Sequence, residues 1–173
     1  MTDPIFRDWL QQQHDQGMDL ASQSDVLKLE PVQEERALYD GVPQAYIAKF
    51  FCQGVVIQPD GAIVPANEFH AGIWFPSDYL RTIRPYELVT WLGPTNVWHP
   101  NIRVPIVCVG RVCPGYELVE LLYELYEIIT FQNYATHDYL NDAAAEWARN
   151  HKHLLPTDRR PLKRRATVSN AAS

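Results

Sequence analysis

The sequence contains no apolar run near the roughly 20 residues needed to cross a bilayer, which excludes a helical membrane span. It opens polar, without a secretory pattern, so a cytoplasmic location is expected. Cysteine is scarce and odd in number. Cys52, Cys108 and Cys113 do not have the spacing of a disulfide framework, and reduced thiols are expected. No internal repeat is present. Net positive charge is absent from the body of the chain. Residues 151–173 hold Lys152, Arg159, Arg160, Lys163, Arg164 and Arg165 against Asp158, a formal +5, so residues 1–150 carry −11 of the overall −6. An acidic body argues against nucleic acid as the main partner. The basic end reads as a disordered tail suited to a weak contact with an acidic partner.

What is present is material for a core. Hydrophobic residues make up 46% and aromatics 12% of 173 residues, enough for one folded domain and too many for a disordered chain. Residues 4–16, "PIFRDWLQQQHDQ", place Ile5, Phe6, Trp9 and Leu10 on one helical face, and a loop is expected from Gly17 to Ser24. "DVLKLEPV" has the makings of a short strand. "AYIAKFFCQGVVIQ", "NEFHAGIWF" and "PYELVTWL" follow as strands separated by turns too short for crossover helices, hence an antiparallel meander. The period then changes. "GYELVELLYELYEIITF" sets Leu118, Leu121, Leu122, Leu125, Ile128 and Ile129 at helical spacing, with Glu117, Glu120, Glu124 and Glu127 elsewhere on the wheel. "DAAAEWARNHK" reads as a last helix capped by Asn141. The order predicts an α+β domain, an antiparallel meander flanked by helices. The expected division is a helix and lead-in over 1–43, a core over 44–155 and the basic tail over 156–173.

"WHPNIRVPIVCVG" is the stretch with chemistry in it. A cysteine in a β-branched run is ordinarily a buried core thiol. Pro105 argues against a central strand, so an edge or surface stretch is expected, from which the Cys108 thiol reaches water. A zinc site built on Cys108 and Cys113, with His99 and His137, lacks the second close pair such sites use. A cysteine hydrolase needs a base beside the thiol, and His99 and His70 are the candidates, though His99 precedes a Pro-Asn turn that it is better placed to fix.

Over roughly residues 44–150 the chain resembles the ubiquitin-conjugating enzyme family. "YIAKFFCQGVVIQ" is similar to that family's first strand. "FHAGIWFPSDYL" resembles its second strand with the Phe-Pro-x-Asp-Tyr turn, and "YELVTWLGPTNVWHPNI" its third strand with the His-Pro-Asn motif of His99, Pro100 and Asn101. "CPGYELVELLYELYEII" and "HDYLNDAAAEWARN" resemble the two helices after the active site. The loop from Asn101 to Cys108 and the stretch from Cys108 to Pro114 are shorter than the eukaryotic pattern, and a Trp usual there is absent. Those departures look more like the compact bacterial members, which are encoded beside activating-enzyme-like and ubiquitin-like proteins, often in antiphage defence operons.

The resemblance implies a conjugating-enzyme fold and an acyltransferase. Its Cys108 receives a ubiquitin-like protein as a thioester from an ATP-using activating enzyme and passes it to a lysine of a target protein. It implies Asn101 as the donor to the oxyanion or as the holder of the loop, and Asp138 as the carboxylate that orients or deprotonates the amine. His99 and Pro100 belong to the structural motif. No metal or organic cofactor is implied. Cys113, near the start of a helix, is the rival nucleophile, and Cys52 reads as core. The reading from another class is a non-catalytic module that binds a ubiquitin-like protein as a scaffold.

Overall fold

Asp3 caps the first helix, its Oδ1 accepting the Ile5 and Phe6 N–H groups, and Pro4 opens the first turn, where its missing donor is not needed. In the computed structural model, which describes residues 1–166, this helix, α1 (Pro4–Ser22), runs past the expected loop at Gly17. Buried Phe6, Leu10, Gln13, Gly17 and Leu20 recur at steps of three and four, a single stripe from end to end, while Ile5 lies exposed off that stripe. Gly17 stays helical because it is a contact point. A Cβ there would stand 2.7 Å from Leu118 Cδ2 and 3.0 Å from Leu29 Cδ2.

The strands in chain order are β1 (Leu27–Pro31), β2 (Leu38–Tyr39), β3 (Val42–Pro43), β4 (Ala45–Phe50), β5 (Gly54–Ile57), β6 (Ile63–Ala66), β7 (Phe69–Trp74), β8 (Val89–Gly93), β9 (Ile102–Arg103) and β10 (Ile106–Val107). Six form one antiparallel sheet in the order β1-β4-β7-β8-β10-β9, and β2–β3 and β5–β6 are separate two-stranded ribbons. The helices after α1 are the single turn α2 (Pro85–Leu88), α3 (Leu118–Ile129) and α4 (Asp142–Asn150). The protein is an α+β fold built on an antiparallel sheet.

Period-two alternation makes one face of the sheet apolar. Tyr46, Ala48 and Phe50 of β4, Phe69, Ala71 and Ile73 of β7, and Val89 and Trp91 of β8 are buried together, with Ala48 opposite Ala71 and Phe50 opposite Phe69. The stripe Leu118, Leu121, Leu122, Leu125, Ile128 and Ile129 of α3 completes the same core with Phe6, Leu10 and Leu20 of α1. The outer face keeps Trp74, Leu92 and Ile106 exposed.

Besides the loop at Gly17, four expectations are corrected. "AYIAKFFCQGVVIQ" is two strands, because the Phe51 N–H turns to the Val26 carbonyl and the Gln53 N–H to the Asp158 carboxylate. "PYELVTWL" begins as a helical turn with Pro85 near its start and becomes β8 only at Val89. Of the edge or surface stretch expected before Cys108, the edge is not found, although Val104, Pro105 and Ile106 are exposed. β10 lies between β8 and β9, with Pro105 in the connection ahead of it. The chain from 156 to 166, expected as a free tail, lies against the body. Leu162 is in the core, Asp158 is buried, and the Arg164 N–H reaches the Gln23 carbonyl at 2.8 Å. The rest of that expectation falls on 167–173, outside the described residues. Among the described residues no helix is long and apolar enough to cross a membrane.

Candidate active site

Cys108 follows β10 directly. The register that sets Val107 opposite Ile102 carries Cys108 opposite Asn101, and the Cys108 N–H donates to the Asn101 carbonyl at 2.8 Å. The Asn101 side chain closes the pair. Its Nδ2 donates to the Cys108 carbonyl at 2.9 Å while its Oδ1 accepts the Ala135 N–H at 2.8 Å. One nearly buried amide thus ties the segment bearing the thiol to the loop between α3 and α4.

The two residues before it fasten the same junction. The Pro100 carbonyl accepts the Leu140 N–H at 2.8 Å and the Asn141 N–H at 3.2 Å, at the entrance to α4. His99 is 1% exposed, with its ring centre 4.3 Å from that of Phe131. Its Nδ1 accepts the Asn101 N–H at 3.0 Å, so the proton sits on Nε2. That N–H faces the Ile128 carbonyl without forming a well-aligned hydrogen bond. Burial holds the imidazole down at about 3, and it is neutral at ordinary pH. His99 is therefore a packing and turn residue and does not line the space beside the thiol. His70, the other candidate base, lies on β7 and pairs with Glu68 just ahead of that strand.

A cavity of about 290 Å³ opens at Cys108, and Asn101, His137 and Asp138 line it with the thiol. The segment from Asn101 to Cys108 and the loop between α3 and α4 meet there. Cys108 is half-buried, and His137 and Asp138 are exposed. Asp138 has φ +52°, a left-handed conformation that aspartate tolerates better than most side chains. Cys113 is exposed and lies outside this lining, its carbonyl taken by the Tyr116 N–H. Cys52 is in the core, its thiol pushed up to about 12 by burial and by Asp158.

Sequence reasoning did not single out Glu124, Asn133 and Tyr134, which line the cavity too, with Gly110 and Ala135. Glu124 stands on the flank of α3, off the leucine stripe. Burial, and then Glu127, raise its carboxyl above the usual range. Asn133 Nδ2 donates to Glu124 Oε1 at 3.3 Å. The only sequence signal was an acid that the core did not need on a helix following the cysteine. Among the described residues no three His, Cys, Asp or Glu side chains gather as a metal site. The arrangement suits a thiol that accepts an acyl group beside carboxylates that attract an amine. No protein-family model matches the chain, and no curated protein matches it significantly.

Proposed function

We propose that this protein carries a ubiquitin-like protein as a thioester on Cys108, received from an activating enzyme, and transfers it to a lysine amine of a target. The observation that carries the reading is the convergence of Cys108, Asn101 and Asp138 on one cavity. These are the residues that the resemblance to ubiquitin-conjugating enzymes selects. A thiolate is a strong nucleophile that exchanges readily with another thioester. Storing the acyl group is easier without a strong base beside the sulfur, and His99 is buried and outside the lining of the Cys108 cavity. The Asn101 amide offers N–H groups without acting as a base, and two such bonds are available to it, one held by the Cys108 carbonyl. Asp138 supplies a carboxylate for the ammonium. The partners of this reading are the ubiquitin-like protein, its ATP-using activating enzyme and the target, meeting in the cytoplasm of a bacterium as part of a defence pathway.

Charging tests the reading. With activating enzyme, ATP and ubiquitin-like protein from the same locus, the chain should form an adduct that thiols cleave. Cys108→Ser should give a thiol-resistant ester or nothing, and Cys113→Ser should still charge. Charging that survives Cys108→Ser and fails in Cys113→Ser would move the nucleophile to Cys113. Tight binding of the ubiquitin-like protein with no adduct would leave the chain a scaffold.

A further inference from the structure

We infer that Glu124 is an acceptor-binding carboxylate of the Cys108 cavity, which takes the incoming acceptor as a primary ammonium and removes its proton. The inference rests on the thioester reading above and assigns a second carboxylate, besides Asp138, to the binding of its amine acceptor.

Glu124 reaches the cysteine segment from the helix behind it. Its Oε1 lies 3.9 Å from the point where a Cβ on Gly110 would stand, two residues beyond Cys108. Gly110 has φ +79° and no side chain, so nothing at that position screens the carboxylate from the cavity that both residues line. The hydrogen bond it accepts from the Asn133 amide is long, at 3.3 Å, and brings no positive charge. Among the described residues Glu124 belongs to no ion pair. No Lys or Arg is among the residues lining the cavity; its ionisable members are Cys108, Glu124, Tyr134, His137 and Asp138. A carboxylate partly withdrawn from water without a cation is destabilising, and an arriving cation relieves that cost.

The chemistry follows from what arrives. A lysine amine is protonated near neutral pH, with its ordinary pKa about 10.4, whereas hydroxyl and thiol acceptors come in neutral and gain nothing from the two carboxylates. Glu124 takes one proton from the ammonium, and burial makes its carboxyl a better proton acceptor than an exposed one. The freed nitrogen attacks the thioester carbon, the C–N bond forms and the C–S bond breaks. The second amine proton leaves with the Cys108 sulfur as thiol, and Glu124 returns its own proton to water.

The test uses the whole chain with Cys113→Ser, so that Cys108 is the accessible thiol. Cys108 is acylated by exchange with a synthetic diglycyl thioester, and intact mass follows its discharge at pH 7. The two nucleophiles are lysine, which arrives charged, and hydroxylamine, which arrives neutral. Glu124→Gln should discharge to lysine about 100-fold more slowly and to hydroxylamine at nearly the unsubstituted rate. Glu146→Gln, exposed on α4 and outside the cavity, should match the unsubstituted protein with both. Equal slowing with both nucleophiles, or with neither, overturns the role of Glu124. Failure of Cys108 to take the diglycyl group overturns the thioester reading itself. Glu124→Ala gives the same comparison should the glutamine variant melt early.

Discussion

Asn101 shows how much one side chain can hold. Its amide bonds the Cys108 carbonyl on one side and the Ala135 N–H on the other, so it sets where the thiol lies relative to the loop carrying His137 and Asp138. Asn101→Ala removes both bonds and leaves two part-buried polar groups without protein partners, at about 1 kcal/mol each. The melting temperature should fall by several degrees. A second effect separates bracing from catalysis. If a remaining N–H of the amide stabilises the oxyanion of aminolysis, charging should persist while discharge to lysine slows about 100-fold. Discharge at the unsubstituted rate from a charged Asn101→Ala protein would leave Asn101 as a brace alone. This residue lines one cavity with Cys108 and Asp138, and all three were picked out in the sequence through the family resemblance. Glu124 was not, because its place beside Gly110 depends on the rotation of α3 against the sheet, which no local pattern carries.

Elements tell a similar story in coarser terms. Where periodicity was long, the sequence sufficed: the α3 stripe is buried throughout, and β7 falls within the expected "NEFHAGIWF". It misled where a single residue has two uses. Gly17 reads as a helix stop, yet it is the point at which α1 approaches Leu118 of α3 and Leu29 of β1. "AYIAKFFCQGVVIQ" reads as one strand, but Phe51 and Gln53 spend their N–H groups on Val26 and on Asp158, far away in the chain. The Gly17 contact is measurable. Ala is favoured over Gly inside a helix by about 1 kcal/mol. Overpacking a filled core costs about 1–3 kcal/mol, and Leu118 and Leu29 are both buried. Packing should win, so Gly17→Ala should be less stable by about 1 kcal/mol, lowering the melting temperature by roughly 2–4 °C. A rise in melting temperature would mean that the leucines yield freely and the approach is loose.

At the scale of the whole molecule, the C-terminal segment acts as a strap. The Thr157 N–H donates to the Thr130 carbonyl at 2.8 Å and the Tyr126 hydroxyl to the Arg160 carbonyl at 2.6 Å, while Leu162 enters the core. The segment therefore joins the end of α3, the break between β4 and β5, and the end of α1. Its basic, proline-containing sequence conceals this, since its anchors are backbone groups, one leucine, and the Thr157, Asp158, Arg160 and Arg164 side chains scattered along it. The acid among them, Asp158, has a side chain only 7% exposed. Burial alone would raise its carboxyl, but the Arg160 guanidinium and the Gln53 and Arg160 N–H groups outweigh burial and hold it down at about 2, against an ordinary 3.8. A carboxyl depressed in the folded state stabilises above its ordinary range, and that contribution is lost as pH falls from about 4 toward 2. The difference corresponds to about 2 kcal/mol. His99 acts in a separate window. Its imidazole is held neutral at about 3 against an ordinary 6.5, so its cost enters earlier, as pH falls from 6.5 toward 3. Denaturant unfolding measured across pH should show both limbs. Asp158→Asn should be about 2 kcal/mol less stable at pH 7, keep the His99 limb, and converge on the unsubstituted protein as pH approaches 2. A gap between the two proteins that stays constant down to that pH would mean that the strap is held by something other than the Asp158 charge.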